Sequence, residues 1–433
     1  LGWFKSKKQP QIVEPPIKFI PKGQLPEFDP ELYVNVRVFV AAALTFRAES
    51  LLMIVTPQKT ATFYQVDAVP LERETLDPQT GASFAAVIKI VAGIDISKRV
   101  AQQQGDFEIV FQRRKYNCTV TSQLSNEGEK LLLKFAGEES KPPERLDACG
   151  MTDKQLERVK ELLAGPGIVV VSAPPKQGFT TTFNATMHAV DRYLRNAVIV
   201  EPEGTQDPQV ENVEPTYFDP KKNETPATVL PKLLRTYPDV VCLRHLADAE
   251  TAQILFTQPE NDRLVVVGIP ARDAVEAVLR ILALKAPRDK FVDHLKLVLN
   301  QRLLRKLCDE CKERFAPPPQ LLQQLGIPQG RIAAFYRQGA PKLPPEQMEK
   351  LMEAGVPIIC PSCQGIGYRG RTALFEMLIP DDTLRKGLRS INNVEELRKF
   401  ARKSGHKSLL DEGIVLAARG VTSVQEVLRV LKS

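Results

Sequence analysis

The 433-residue sequence has no apolar run approaching the roughly 18 residues that a membrane-spanning helix needs; the longest candidate near its start, 38–46, is too short. Aromatic residues are scarce, 6% with a single Trp. No basic stripe interleaved with aromatics is visible, so the stacking platforms of single-strand binders are missing and no nucleic acid is expected as a partner. Charge of one sign is also in small excess. Lys and Arg number 59 against 52 Asp and Glu, a net +7 that permits contact with acidic lipid without demanding it. Cysteine is too sparse for a disulfide scaffold. Of the seven, at 118, 149, 242, 308, 311, 360 and 363, four form two C-x-x-C pairs, which fits a reducing compartment and one metal site. There is no signal-peptide pattern. The sequence starts at Leu1, so segments upstream are left open, and this absence speaks only weakly for the cytoplasm.

A further absence is local. Ile168-Val-Val-Val-Ser-Ala-Pro-Pro-Lys-Gln-Gly-Phe-Thr-Thr-Thr182 has the shape of a strand, a phosphate-binding loop and a helix start. A Walker A loop, G-x-x-x-x-G-K-[ST], cradles phosphates with backbone N–H groups and one lysine. Here Ala173 replaces the first glycine, Gly178 keeps the second, Phe179 stands at the lysine position and Thr180 at the magnesium-ligand position. A ring there supplies no charge to a phosphate. Alone, this loop is equally an ordinary strand–turn–helix.

The organisation around it is that of an α/β chain. Residues 1–30 read as a proline-rich tail and 31–136 as a small α+β domain, with strands near 51–55, 60–66, 107–111, 117–123 and 130–135 and a helix near 82–93. Residues 137–150, with Pro142 and Pro143, read as a linker. Within 151–307, apolar runs at 168–173, 197–201, 239–243 and 264–269 alternate with helical patterns at 152–164, 180–195, 248–258, 272–285 and 291–307. That alternation implies a parallel sheet covered on both faces, with any ligand at the carboxyl ends of the strands. Residues 308–378 form a four-cysteine subdomain and 379–433 a helical region.

Cys308-Asp-Glu-Cys311 and Cys360-Pro-Ser-Cys363 supply four thiolates on two tight knuckles, suited to one tetrahedral, structural Zn2+. Two unrelated redox pairs are the alternative. The segment 312–359 is expected to project as a helical excursion. The run from Arg385 to Lys407 carries eight Lys and Arg against Glu395 and Glu396. It suits a solvated helix face, with an acidic partner or membrane surface as the alternative.

With both cysteine pairs placed, the chain resembles the hexameric ATPases of type II secretion and type IV pilus assembly, over about 45–433. Ile88-Lys-Ile-Val-Ala-Gly-Ile-Asp-Ile-Ser-Lys-Arg99, Leu234-Arg-Thr-Tyr-Pro-Asp-Val-Val241, Asn300-Gln-Arg-Leu-Leu-Arg-Lys-Leu-Cys308, Tyr368-Arg-Gly-Arg-Thr-Ala-Leu-Phe-Glu376 and Gly420-Val-Thr-Ser-Val-Gln-Glu-Val-Leu-Arg429 occur in that family's order. The resemblance implies a RecA-like P-loop NTPase core behind a small N-terminal domain, with a zinc subdomain. It implies a homo- or hetero-hexamer of secretion-ATPase-like subunits, cytoplasmic and peripheral to the inner membrane, contacting platform or adaptor proteins.

The departures from that family fall on its chemistry. Against G-P-T-G-S-G-K-T-T-T, the chain keeps Pro174, Gly178, Thr180, Thr181 and Thr182 and loses the lysine to Phe179. Against G-E-I-R-D it reads Arg244-His245-Leu-Ala-Asp248, so the water-orienting glutamate is His245. The two histidine-box positions are Arg263 and Pro270. The acidic stretch is reduced to Glu201 or Glu203, and two arginines of the N-terminal domain become Val100 and Asp106. One lost donor or cation costs about 2–4 kcal/mol of barrier, and phosphoryl transfer is nearly all positioning and charge. The expectation is a pseudoenzyme acting as a structural or regulatory subunit, binding ATP and Mg2+ weakly if at all through Gly178, Thr180, Thr181 and Lys176. The alternative is a working motor in which Lys176 replaces the lost lysine. His245 has no partner at metal-ligand spacing.

Overall fold

The computed structural model describes residues 16–97, 102–125, 128–137, 142–341, 345–353, 355 and 358–432. The chain divides into two compact units, Leu1–Lys141 with the turn Cys363–Gly365, and Pro142–Ser362 with Ile366–Ser433.

The first unit is a seven-stranded sheet in the order Ile17–Ile20, Gln102–Phe111, Arg114–Ser125, Gly128–Gly137, Ser50–Val55, Thr60–Val66, Val69–Glu72, with antiparallel pairing throughout. Helices Pro30–Thr45 and Pro78–Val91 accompany it. Each begins with an aspartate accepting a backbone N–H, Asp29 from Leu32 and Asp77 from Thr80, followed by a proline whose missing N–H costs nothing in the first turn. Phe39 and Phe84 bring the two helices together at 5.3 Å between rings. Two differences from the sequence reading stand out. The helix Pro30–Thr45 was not anticipated, and Ile17–Ile20, expected as extended tail, is an edge strand paired with Glu108–Phe111. Trp3 and Phe4, the aromatic pair of the proline-rich tail, lie outside the described residues.

The second unit is built on a sheet in the order Val213–Phe218, Ala197–Pro202, Val240–Leu243, Leu264–Ile269, Gly167–Ser172, Leu295–Leu307, Tyr368–Leu378. All neighbours are parallel except the last pair. Every residue of Gly167–Ser172 and Leu264–Ile269 is buried. Alternation sends Ile168, Val170, Val198 and Val200 to one core and Val169, Val171, Ala197 and Ile199 to the other. The first core is closed by the helices Ala249–Phe256, Ala274–Ala283, Arg288–His294 and the C-terminal pair Asp382–Ser390 and Val394–Lys403; the second by Asp153–Leu163 and Phe179–Ala189. The α/β class expected from the alternating pattern is what the chain adopts.

Two readings are corrected. The stretch 291–307 is not one helix: a short helix, Arg288–His294, gives way to the 13-residue strand Leu295–Leu307. The excursion 312–359 is mixed, not helical, because Lys312–Phe315 pairs antiparallel with Phe335–Gln338 between the helices Pro319–Gln324 and Pro345–Glu353.

Candidate functional site

The strand register fixes what meets at the carboxyl end of the second sheet. Ser172 lies level with Ile269, and Leu243 with Val200, so the loop after Ser172, Glu201, Arg244, His245 and Pro270 all gather at this end. Arg263 does not. It precedes Leu264, which pairs with Gly167 at the opposite end, and its guanidinium ties down carbonyls of Pro238 (3.1 Å) and Leu234 (3.1 Å). Asp106 is in the first unit, where it pairs with Lys22, and Val100 lies outside the described residues.

The loop keeps the backbone of a phosphate loop. Gly178 precedes the helix Phe179–Ala189 with φ 86°, a left-handed conformation that glycine adopts without cost. Lys176, where the family pattern has its middle glycine, also has positive φ, 62°, which costs a side-chain-bearing residue about 1 kcal/mol. Its side chain is exposed. Gln177 anchors the loop to the neighbouring strand: its carbonyl accepts from Gln301 Nε2, and its side-chain oxygen accepts from the Leu303 N–H at 3.0 Å.

Phe179 turns inward and joins the second core. Its ring lies 5.7 Å from that of Phe183 and 5.3 Å from that of His245. The ring edge rests on Gly268, where an added Cβ would come within 2.4 Å of Phe179 Cζ. Partial desolvation and then the Arg244 charge lower the His245 pKa, so this imidazole is neutral at pH 7.

The polar part of the site is organised by Arg244, 4% exposed. Its Nε donates to Glu201 Oε1 at 2.9 Å and lies 3.3 Å from Asp207 Oδ2; Nη1 donates to Asn184 Oδ1 at 2.7 Å, and the group sits 5.0 Å from the Phe183 ring centre. Thr180, at the magnesium-ligand position, donates its hydroxyl to Asp207 Oδ1 at 3.3 Å. Thus a resident guanidinium neutralises two carboxylates beside the loop, and the threonine oxygen is turned to one of them. Glu201 is the buried member of the acidic pair and Glu203 is exposed. Asp207, Asn184 and Gln301 were not singled out in the sequence, since none lies in a motif. These residues do not fit a magnesium nucleotide in the usual pose: a ring stands at the lysine position and an arginine beside the threonine.

The second site is the cysteine cluster. The sulfurs of Cys308, Cys311, Cys360 and Cys363 all lie within 4.8 Å of one another, and Cys308 and Cys360 are 3.9 Å apart. A tetrahedron of sulfurs about 2.3 Å from zinc has edges of roughly 3.8 Å, so the four fit such an ion. Burial acts to raise the Cys308 thiol, but hydrogen bonds from the Glu310 backbone and the Ser362 hydroxyl outweigh it and its pKa falls. The scattered cysteines behave oppositely. Burial pushes Cys118 up to about 12 and Cys149 up to about 11, as expected of inert core thiols.

A parallel sheet with a phosphate-loop turn at its carboxyl end, joined to a four-cysteine knuckle, defines the secretion-ATPase class of P-loop fold. The model of the type II/IV secretion system protein family matches residues 33–429, and the chain belongs to that family. Type II secretion system protein E of Dickeya dadantii is 30% identical over 85% of this chain and 69% of its own length. Type IV pilus assembly ATPase PilB of Thermus thermophilus is 27% identical over 84% of this chain, which spans only 39% of that relative. The solved structure of the Legionella pneumophila ATPase DotB, 13% identical, shares the fold with a TM-score of 0.53 over 95% of this chain and 98% of its own. Among the described residues, no helix is long and apolar enough to cross a membrane.

Proposed function

We propose that this chain is a nucleotide-degenerate member of its family, a structural or regulatory subunit of a type II secretion or type IV pilus machine. In this reading it sits in the cytoplasm at the inner membrane, in a hexameric ring with ATPase-like subunits, against platform or adaptor proteins. The relatives' names support the machine. The buried Arg244, bonded to Glu201 and set beside Asp207 and the loop, supports the loss of chemistry. Phe179 supports it too, because its ring, packed against Phe183, His245 and Gly268, brings no charge to a phosphate where the family has its lysine. The cysteine cluster holds one structural zinc, supplying four bonds to the fold and no open coordination position.

The test is a nucleotide titration with a turnover assay on the purified chain. No magnesium-dependent hydrolysis is expected, and Phe179→Lys with His245→Glu restores little, because Arg244 still occupies the acidic groups. Weak binding to backbone N–H groups near Gly178 is compatible with the proposal. Steady turnover abolished by Lys176→Ala would overturn it and make the exposed lysine of the loop the phosphate-binding cation of an active motor.

A further inference from the structure

Arg302 follows Gln301 on the strand Leu295–Leu307, and side chains alternate along a strand. Gln301 holds the phosphate-loop turn; Arg302 projects to the other face. There it is 4% exposed and makes two long hydrogen bonds, to the carbonyls of Arg272 (3.3 Å) and Val430 (3.5 Å). Among the described residues, no carboxylate lies within ion-pairing distance of it. A buried guanidinium without a bonded counter-ion is costly, since the charge loses water and gains only carbonyl dipoles and the more distant attraction of Asp273, Glu276 and Glu376. Desolvation is also the first cause that lowers its pKa.

This guanidinium lines a cavity of about 430 Å3, with Arg272, Arg398, Arg402 and His406. Three carboxylates also line it, and each is already engaged. Asp273 takes Arg398 Nε at 3.0 Å and caps the helix Ala274–Ala283. Glu395 takes Arg398 Nη1 at 2.5 Å. Glu376 accepts from the Ala274 N–H at 2.7 Å and is hydrogen-bonded to His406 Nε2 at 2.9 Å. The other ring nitrogen, His406 Nδ1, is buried without a partner among the described residues. Arg302 and Arg402 therefore remain as cations with no acid of their own, one at the floor and one at the exposed edge. Part of the basic run 385–407 faces this cavity through Arg398 and Arg402.

We propose that the cavity is a binding site for the phosphate group of a small molecule, held by Arg302 and Arg402 with Arg272 at the rim. Guanidinium forks match a tetrahedral oxyanion. The space exceeds that of a bare phosphate, whose five heavy atoms take roughly twice a water's share of about 30 Å3, and lies within the range of small-ligand sites. A flat lipid surface does not reach a guanidinium this buried, so a soluble phosphate is the occupant. The site is distinct from the loop around Gly178, and the proposal stands whether or not the chain hydrolyses ATP.

The test is calorimetric titration of the full chain with inorganic phosphate and, separately, with glycerol phosphate, at millimolar concentrations. Binding of either supports the site, and tighter binding of the ester shows that space beyond the phosphate is used. Arg302→Gln and Arg402→Gln should each weaken it about tenfold or more, whereas Lys176→Ala leaves it unchanged. If Arg302→Gln fails to fold, the exposed Arg402→Gln decides. Binding unaffected by Arg402→Gln, binding lost in Lys176→Ala, or no response to soluble phosphate with capture on anionic vesicles would each overturn the assignment.

Discussion

Arg244 carries its charge into a pocket closed by Phe183, Asn184 and Glu201, where its guanidinium meets almost no solvent. Such a pair is expensive to bury and more expensive to break. Removing one partner leaves the other charge uncompensated, at about 3–5 kcal/mol, whereas replacing both by apolar groups is often neutral. Arg244→Ala should therefore lower the unfolding free energy by about that amount in urea titrations, and Arg244→Leu with Glu201→Leu should recover most of it. A single variant within about 0.5 kcal/mol of the parent would show that the pair is not a structural element. At this scale the sequence was half legible. Phe179 and His245 stand at fixed offsets in a motif, so their replacement is visible without a structure. Asp207 and Asn184 reach Arg244 only through the fold, and no spacing announces them. Gly268 did leave a trace: a lone glycine in Val-Val-Val-Gly-Ile signals that something approaches the backbone closely, and here it is the Phe179 ring and the Arg244 carbonyl.

One carboxylate ties the last helix to the sheet. Glu426, at the start of the helix Val424–Lys432, accepts from the Arg305 N–H at 3.1 Å and from Arg305 Nη2 at 2.7 Å, with Arg429 on the same group. Burial alone would raise its pKa, but these bonds bring it down to about 2. A depressed folded pKa stabilises above the unfolded value, near 4.3, and the contribution, about 3 kcal/mol, is lost as pH falls from there toward 2. Acid titration followed by circular dichroism should show this loss, and Glu426→Gln should flatten that limb while lowering stability at neutral pH. An unchanged acid limb would remove Glu426 from the account. The four-cysteine knuckle, proposed to hold zinc, gives a second test at this scale. Elemental analysis should find about one zinc per chain, and Cys308→Ser or chelation should lower the melting temperature. Metal-free protein with unchanged melting would count against the site. Elements were legible where burial pattern and length agreed, as in the runs at 168–173 and 264–269. The strand Leu295–Leu307 was not. Its Leu, Lys, Arg and Gln favour helices and recur at helical spacing, yet pairing on both edges buries nearly every position and overrides that preference. In the first unit, the hairpin at Gln112 and Arg113 escaped notice because both residues take positive φ, 47° and 66°, without the Asn-Gly that normally marks such a turn.

At the scale of the molecule, the division of the chain falls at 141/142, beside Pro142 and Pro143. The two units differ in architecture, the first antiparallel throughout and the second mainly parallel, so each carries its own core and pairing logic. The change of pattern across the proline pair is what made the boundary visible in the sequence, whereas the seven-strand order of each sheet depends on pairings between distant segments and was not. From Pro142 to Arg145 the residues are exposed, and Leu146 begins the buried second unit. Cleavage requires a backbone that fits a protease cleft, which an exposed segment between two cores offers and paired strands do not. Brief digestion with a Lys/Arg-specific protease should therefore cut first between 137 and 147, where Arg145 supplies the site, the Lys141–Pro142 bond being resistant to such proteases. It should release one fragment of the first unit and one that retains the four cysteines. Earlier cleavage within either sheet, with 137–147 resistant, would mean that the units do not behave as separate bodies joined at this segment.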